Sequence, residues 1–329
     1  MPKPFKILSI DGGGIKGLYS STIIGHLEDK YKCHISDHFD MICGTSTGGL
    51  IALALALKIP AKEISQFYED FGKTIFPYRT KLGGLIRQTI WFGKYSDKPL
   101  RKSLEKIFQN RKIGEVKNLL CIPSYSITDA RPWVFKYDHK EKGLERDNNT
   151  SCIDVALATS AAPTYFPLCD LDCYNSKQFI DGGVWANNPT MVGVIEALSY
   201  FVGSDKEFDS IQVLSISSLN YTAGKPIGMQ RKRSFISWKD DLFNTSLIGQ
   251  SHFTHYMMER LKELNHIKID YVRIPSEDIS AEQQHLVQLD VATNNSINFL
   301  KGKGNDRGLI AKKDSQIETF FKHPKKYNL

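Results

Sequence analysis

The chain predicts an α/β fold with a mostly parallel central sheet covered on both faces. Strand-length apolar runs such as PFKILSI and HFDMICG alternate with helix-length segments through about residue 216. Two of those runs end directly in glycine-rich turns, IDGGGIKG and CGTSTGG, and each turn feeds the next helix. No internal repeat or low-complexity linker divides the 329 residues, and 41% hydrophobic residues are enough to fill a large core.

PFKILSI is the first strand, ending at Asp11, and GGGIKG opens a helix to about Lys30. HFDMICG is the second strand, followed by helices over 47–58 and 61–76, the latter with Phe67, Tyr68, Phe71 and Ile75 at helical spacing. NLLCIPSYSIT and WVFKYD read as strands, CIDVALATSAAP as a short helix stopped by Pro163, and SKQFIDGG as a strand. Asn188 is placed to cap a helix with Pro189 at its first position, and IQVLSIS is one more strand. Beyond about 220 the pattern changes to a loop, helices over 239–264 and 281–300 flanking the strand IKIDYVRIP, a mobile connector KGKGNDRG at 301–308, and a last helix over 309–322. The expected organisation is one structural domain, with a core over 5–200 and an extension over 201–329 packed on it.

A net charge of +7 favours anionic contacts such as phospholipid or nucleic acid. The basic residues are scattered, however, and the short run QRKRSF at 230–235 reads as a solvated loop. Six cysteines lack any C-x-x-C spacing and read as free thiols of a reducing cytosol. The start MPKPFKILSIDGGG has no secretory pattern, and the longest apolar run, LIALALAL at 50–57, is too short to span a bilayer. At 78–96, bulky apolar residues interleave with Arg79, Lys81, Arg87 and Lys94, which suits either a membrane interface or a core-covering excursion.

Chemistry concentrates in three motifs. Gly44-Thr45-Ser46-Thr47-Gly48 lies between a strand and a helix, the setting of a nucleophile elbow. Its glycines let the turn tighten around Ser46, and the following helix offers N–H dipoles to developing negative charge. Ser46 needs a base. His252 and His255 lie within a helix and His285 at the start of one, while His266 and His323 occupy no clear strand-end loop. Asp181 instead ends a strand before Gly182 and Gly183, where a partly desolvated carboxylate can deprotonate a serine directly. The loop Asp11-Gly12-Gly13-Gly14-Ile15-Lys16-Gly17 points N–H groups outward at a helix start and offers oxyanion donors. Read as a dinucleotide fingerprint, Gly12-x-Gly14-x-x-Gly17 needs an acid about 20 residues on, and Asp37 and Asp40 precede or start the next strand. Cys33, His34 and His38 form a weak metal candidate in a loop, and the chemistry requires no metal or cofactor. Trp185 suits an acyl groove or the core equally.

In this order, DGGGIKG, GTSTGG and DGGVWANNP resemble the motifs of the patatin-like phospholipases over about residues 5–200. The resemblance implies a three-layer α/β/α sandwich, Ser46 as nucleophile, Asp181 as base in a Ser–Asp dyad, and the N–H groups of Gly13 and Gly14 as oxyanion hole. It implies that ATSAAPTYFP at 158–167 lines the cleft. Lys16 follows the family's habit of a basic residue in the loop, holding phosphate or oxyanion, or it is a surface lysine. The start FKILSIDGGGIKGLYS and the extension are also similar to cytosolic antiphage effectors activated by cyclic oligonucleotides. The implied protein is a cytoplasmic lipid acyl hydrolase acting at the inner membrane surface, with phospholipid as substrate and a cyclic oligonucleotide activator. Self-assembly on activation would be part of that control, and no DNA or RNA partner is expected. Rival readings are a constitutive lipase and a lipid-binding module that kept the fold.

Overall fold

The computed structural model describes residues 3–77, 93–140, 142–220, 228, 231, 235–264 and 268–329. The stretch 78–96 falls mainly outside these residues, as do His266 and most of the loop over 220–235.

Among the described residues one sheet contains β1 (Pro4–Ile10), β2 (Met41–Gly44), β3 (Leu119–Ser126), β4 (Arg131–Lys136), β5 (Cys169–Leu171), β6 (Lys177–Asp181), β7 (Ser210–Ile216) and β8 (Ile269–Ile274). Its order is β5-β6-β3-β2-β1-β7-β8, with β4 also on β3, and β3, β2, β1, β7 and β8 run parallel. The helices are α1 (Gly17–Tyr31), α2 (Thr47–Ala56), α3 (Ala61–Ile75), α4 (Lys98–Phe108), α5 (Glu145–Asn148), α6 (Cys152–Ser160), α7 (Gly183–Ala186), α8 (Thr190–Tyr200), α9 (Phe235–Lys262), α10 (Asn294–Ala311) and α11 (Ser315–Phe321).

The central strands are apolar on both sides because both sides are covered. Along β1, Phe5 and Ile7 join one buried cluster with α8 and Met258 of α9, while Leu8 and Ile10 join another with α1, α2, α3, α6 and α10. Side chains alternate between faces along a strand, so the two clusters are the two interlayer cores of an α/β/α sandwich. Every residue of α2 is buried, as its uniformly apolar sequence requires.

The strand β6 departs from a parallel arrangement. Cys121 pairs with both Cys43 and Lys136, and Ser124 with both Asp181 and Trp133. β4 therefore fills one edge of β3, while β2 and β6 share the other, running toward each other. Asp181 thus reaches the carboxyl end of β2 from the opposite direction, not as the end of another parallel strand. Pro123, which lacks a ladder donor, lies in the interval between them.

Three expectations change in the C-terminal part. KGKGNDRG is not a connector but the middle of α10. A Cβ on Gly304 would stand 2.8 Å from Thr22 Cβ and 3.0 Å from the Tyr19 carbonyl, so the missing side chain admits α10 close to α1. The helix read over 281–300 divides into a 3-10 turn, Ala281–Leu286, and α10, whose first turn is capped by Thr293. The last helix shortens to Ser315–Phe321 because Asp314 caps it there. Further upstream, α8 starts at Thr190, one residue later than read, with Asn188 Oδ1 accepting from both the N–H and the hydroxyl of Thr190. No helix among the described residues is long and apolar enough to cross a membrane.

Candidate active site

Ser46 sits two residues beyond β2, immediately before α2, at φ 55° and ψ −125°. Positive φ at a non-glycine residue costs about 1–3 kcal/mol and persists only where the surroundings enforce it. Here a Cβ on Gly44 would run into the Gly48 carbonyl, so the elbow closes only with glycine at that position. The Ser46 N–H donates to Thr159 Oγ1 at 2.9 Å, and that hydroxyl donates to the Pro123 carbonyl at 2.6 Å. The elbow is thereby tied to α6 and to the open interval in β3.

Across that interval, Ser46 Oγ donates to Asp181 Oδ2 at 2.6 Å. Asp181 Oδ1 accepts from the Gly183 N–H at 2.7 Å, which fixes the carboxylate plane. Gly182 packs so close to the Pro123 carbonyl that a Cβ there would collide with it. Burial pushes the Asp181 carboxyl up to about 6, against the opposing pull of the Ser46 hydroxyl and the Gly183 N–H. None of the described histidines bonds to either residue.

The glycine-rich loop is anchored at three backbone N–H groups. The Asp11 N–H donates to Ile216, Gly12 N–H to Asn187 at 2.9 Å and Ile15 N–H to Leu289 at 2.9 Å, all to carbonyls. Among the described residues the N–H groups of Gly13 and Gly14 have no partner. Gly14 lies at φ 59°, where a Cβ would also strike the Leu289 carbonyl. At the loop's end, a Cβ on Gly17 would meet Thr47 Oγ1 and the Tyr68 ring, so the start of α1 abuts the elbow.

Lys16 is not a surface residue. It is buried and its Nζ donates to Asn220 Oδ1 at 2.6 Å. Burial lowers its ammonium to about 8. Asp11 is buried against Arg273, whose Nη2 donates to Oδ2 at 2.5 Å and whose Nη1 reaches Oδ1 at 3.3 Å. That carboxylate holds the guanidinium charged.

Gly13, Gly14, Ser46 and Asp181 line one narrow cleft of about 60 Å³. Leu50, Phe67, Ile75, Leu100, Phe166 and Leu247 make most of its wall apolar, and Tyr165 and Phe166 come from the segment 158–167. Trp185 is not in the lining; its Nε1 donates to the Ser124 carbonyl. Sequence reasoning missed Thr159, Asn187, Asn220 and Arg273. Only Arg273 left a signal, as a cation between Val272 and Ile274 in the strand IDYVRI.

A strained serine elbow, a buried acid and an apolar cleft define the class of serine ester hydrolases. Residues 8–194 match the patatin-like phospholipases. A cGAMP-activated phospholipase of Pseudomonas aeruginosa is 32% identical over 324 residues, covering 97% of this chain and 92% of its own. One of the same name from Escherichia coli is 29% identical over 98% of this chain and 94% of its own. The solved structure of VipD from Legionella pneumophila aligns over 97% of this chain and 67% of its own, at TM-score 0.48 and 12% identity, a likeness too loose to carry a functional reading. The chain belongs to the patatin-like phospholipase family, and it is an enzyme of the hydrolase class.

Proposed function

We propose that the protein cleaves fatty acyl esters of membrane phospholipids through a Ser46–Asp181 dyad and that a cyclic oligonucleotide raises its activity. The observation that carries the chemistry is the 2.6 Å hydrogen bond between Ser46 Oγ and Asp181 Oδ2 at the floor of an apolar cleft. Ser46 Oγ attacks the ester carbonyl while Asp181 takes its proton. The carbonyl oxygen becomes an oxyanion that the free N–H groups of Gly13 and Gly14 stabilise. Collapse expels the alcohol, which leaves with the proton from Asp181, and an acyl-Ser46 ester remains. Water then attacks that ester, again giving its proton to Asp181, and the fatty acid departs as Ser46 recovers the proton.

A carboxyl near 6 serves this cycle better than an ordinary aspartate, since it is ionised at neutral pH yet more basic. The elbow holds the nucleophile, the cleft takes the acyl chain, and the positive charge of the chain favours an anionic membrane surface. Control by a cyclic oligonucleotide is supported by the names of the two bacterial relatives, each matched over more than 90% of both chains. The test is phospholipid hydrolysis in liposomes with purified protein, with and without a panel of cyclic di- and trinucleotides. Ser46→Ala is expected to abolish release of fatty acid at every ligand concentration. Full ligand-free activity, unchanged by every nucleotide, would reduce the protein to a constitutive lipase. Lipid binding without any hydrolysis would reduce it to a binding module.

A further inference from the structure

We propose that a polar cavity behind the glycine-rich loop is a second ligand site, built for a phosphodiester-bearing nucleotide; this rests on the nucleotide control argued above. The cavity has a volume of about 480 Å³, more than the acyl cleft, and is lined by Ser217, Asn220, His252, His255, Arg273 and Asp278 among others. It opens beyond the carboxyl ends of β7 and β8, where open α/β sheets receive ligands. An acyl chain gains little among imidazoles, hydroxyls, an amide and a guanidinium. A molecule carrying phosphates, riboses and bases finds donors and acceptors for each. Ser217 Oγ is buried and has no hydrogen-bond partner among the described residues, an unsatisfied hydroxyl that a bound ligand completes.

Three ties run from this cavity to the acyl cleft. Arg273 holds Asp11, the first residue of the glycine-rich loop. Asn220 holds Lys16 at the other end of the loop. Ser251, also in the lining, accepts from Asn187 Nδ2 at 2.9 Å, and the Asn187 carbonyl holds the Gly12 N–H. Phosphate oxygens entering the cavity compete with Asp11 for the guanidinium, and the loop so released or re-seated carries Gly13 and Gly14. The site therefore reports occupancy to the oxyanion donors through bonds at both ends of one short loop.

The experiment is calorimetric titration of the full-length protein with cyclic GMP–AMP, paired with hydrolysis of a soluble p-nitrophenyl ester with and without it. His252 and Asp278 are exposed at the cavity and touch neither Ser46 nor the loop. His252→Glu should weaken binding at least tenfold and abolish activation, whereas Asp278→Asn, which removes a negative charge facing the phosphates, should tighten binding. Both should keep wild-type ester hydrolysis without ligand and the wild-type melting temperature. If the wild type binds and is activated but both variants bind as it does, the nucleotide sits elsewhere and the site is wrong while nucleotide control stands. If the wild type hydrolyses the ester but neither binds nor responds to cyclic GMP–AMP or to any nucleotide of the panel, nucleotide control fails and this site with it.

Discussion

In the proposed cycle, Asp181 concentrates function and instability in one side chain. A free aspartate titrates at 3.8 and this one at about 6 in the fold. Its contribution to stability is therefore complete below 3.8 and is lost as pH rises through 6. At neutral pH the buried carboxylate costs about 3 kcal/mol. Asp181→Asn keeps an acceptor for Gly183 and removes that cost. It should lower ester hydrolysis by several orders of magnitude while raising the melting temperature by roughly 4 °C, read by a spectrophotometric assay and calorimetry. In the wild type, kcat/KM should be level near neutrality and fall about tenfold per pH unit below 6, as the base is protonated. At Gly14, φ 59° and the adjacent Leu289 carbonyl leave no room for a side chain. Gly14→Ala should lower kcat by about 10²- to 10³-fold with little change in KM, the signature of a displaced oxyanion donor. That Ser46 stands on a turn between strand and helix was legible, because the motif is local. The residues that position it were not, since Thr159 lies 113 residues away and Arg273 meets Asp11 across 262.

At the scale of elements, apolar runs located the strands apart from β5, and helical spacing located α3. What periodicity could not carry was register and close packing. β6 was readable as a strand, but its antiparallel entry along the edge of β3 shared with β2 follows from pairing with residues 124–126. The glycines of α10 were misread because glycine in isolation signals a loop, while here it marks helix contact. The distinction has a measurable consequence. Gly304 faces Thr22 and Tyr19 at contact distance, whereas Gly302 faces open space on the same helix. Gly304→Ala should destabilise the protein by about 1–3 kcal/mol through overpacking, and Gly302→Ala should stabilise it by about 0.5–1 kcal/mol through helix propensity. Chemical denaturation of the two variants checks both signs.

At the scale of the molecule, the motifs of the family end before residue 200, yet the site does not. β7 pairs with β1 from Pro4 to Ile10, and its four apolar residues, Ile211, Val213, Leu214 and Ile216, are fully buried. The cleft takes Phe243, Leu247 and Leu289 from the later part of the chain, and the glycine-rich loop hangs on the carbonyls of Ile216 and Leu289 and on Arg273. At the far end, the N–H groups of Lys326 and Tyr327 both donate to Asp40 Oδ1 beside β2. A fragment of residues 1–200 would expose β1 as an apolar edge strand, leave Asp11 buried without its cation, and open one wall of the cleft. We therefore expect that fragment, expressed alone, to aggregate or to melt without cooperativity and to hydrolyse no ester, while the full chain unfolds in one transition. Calorimetry and an esterase assay on both proteins measure this directly. A soluble 1–200 fragment with a sharp melting transition and undiminished activity would make residues 201–329 a dispensable attachment and not part of a single folding unit.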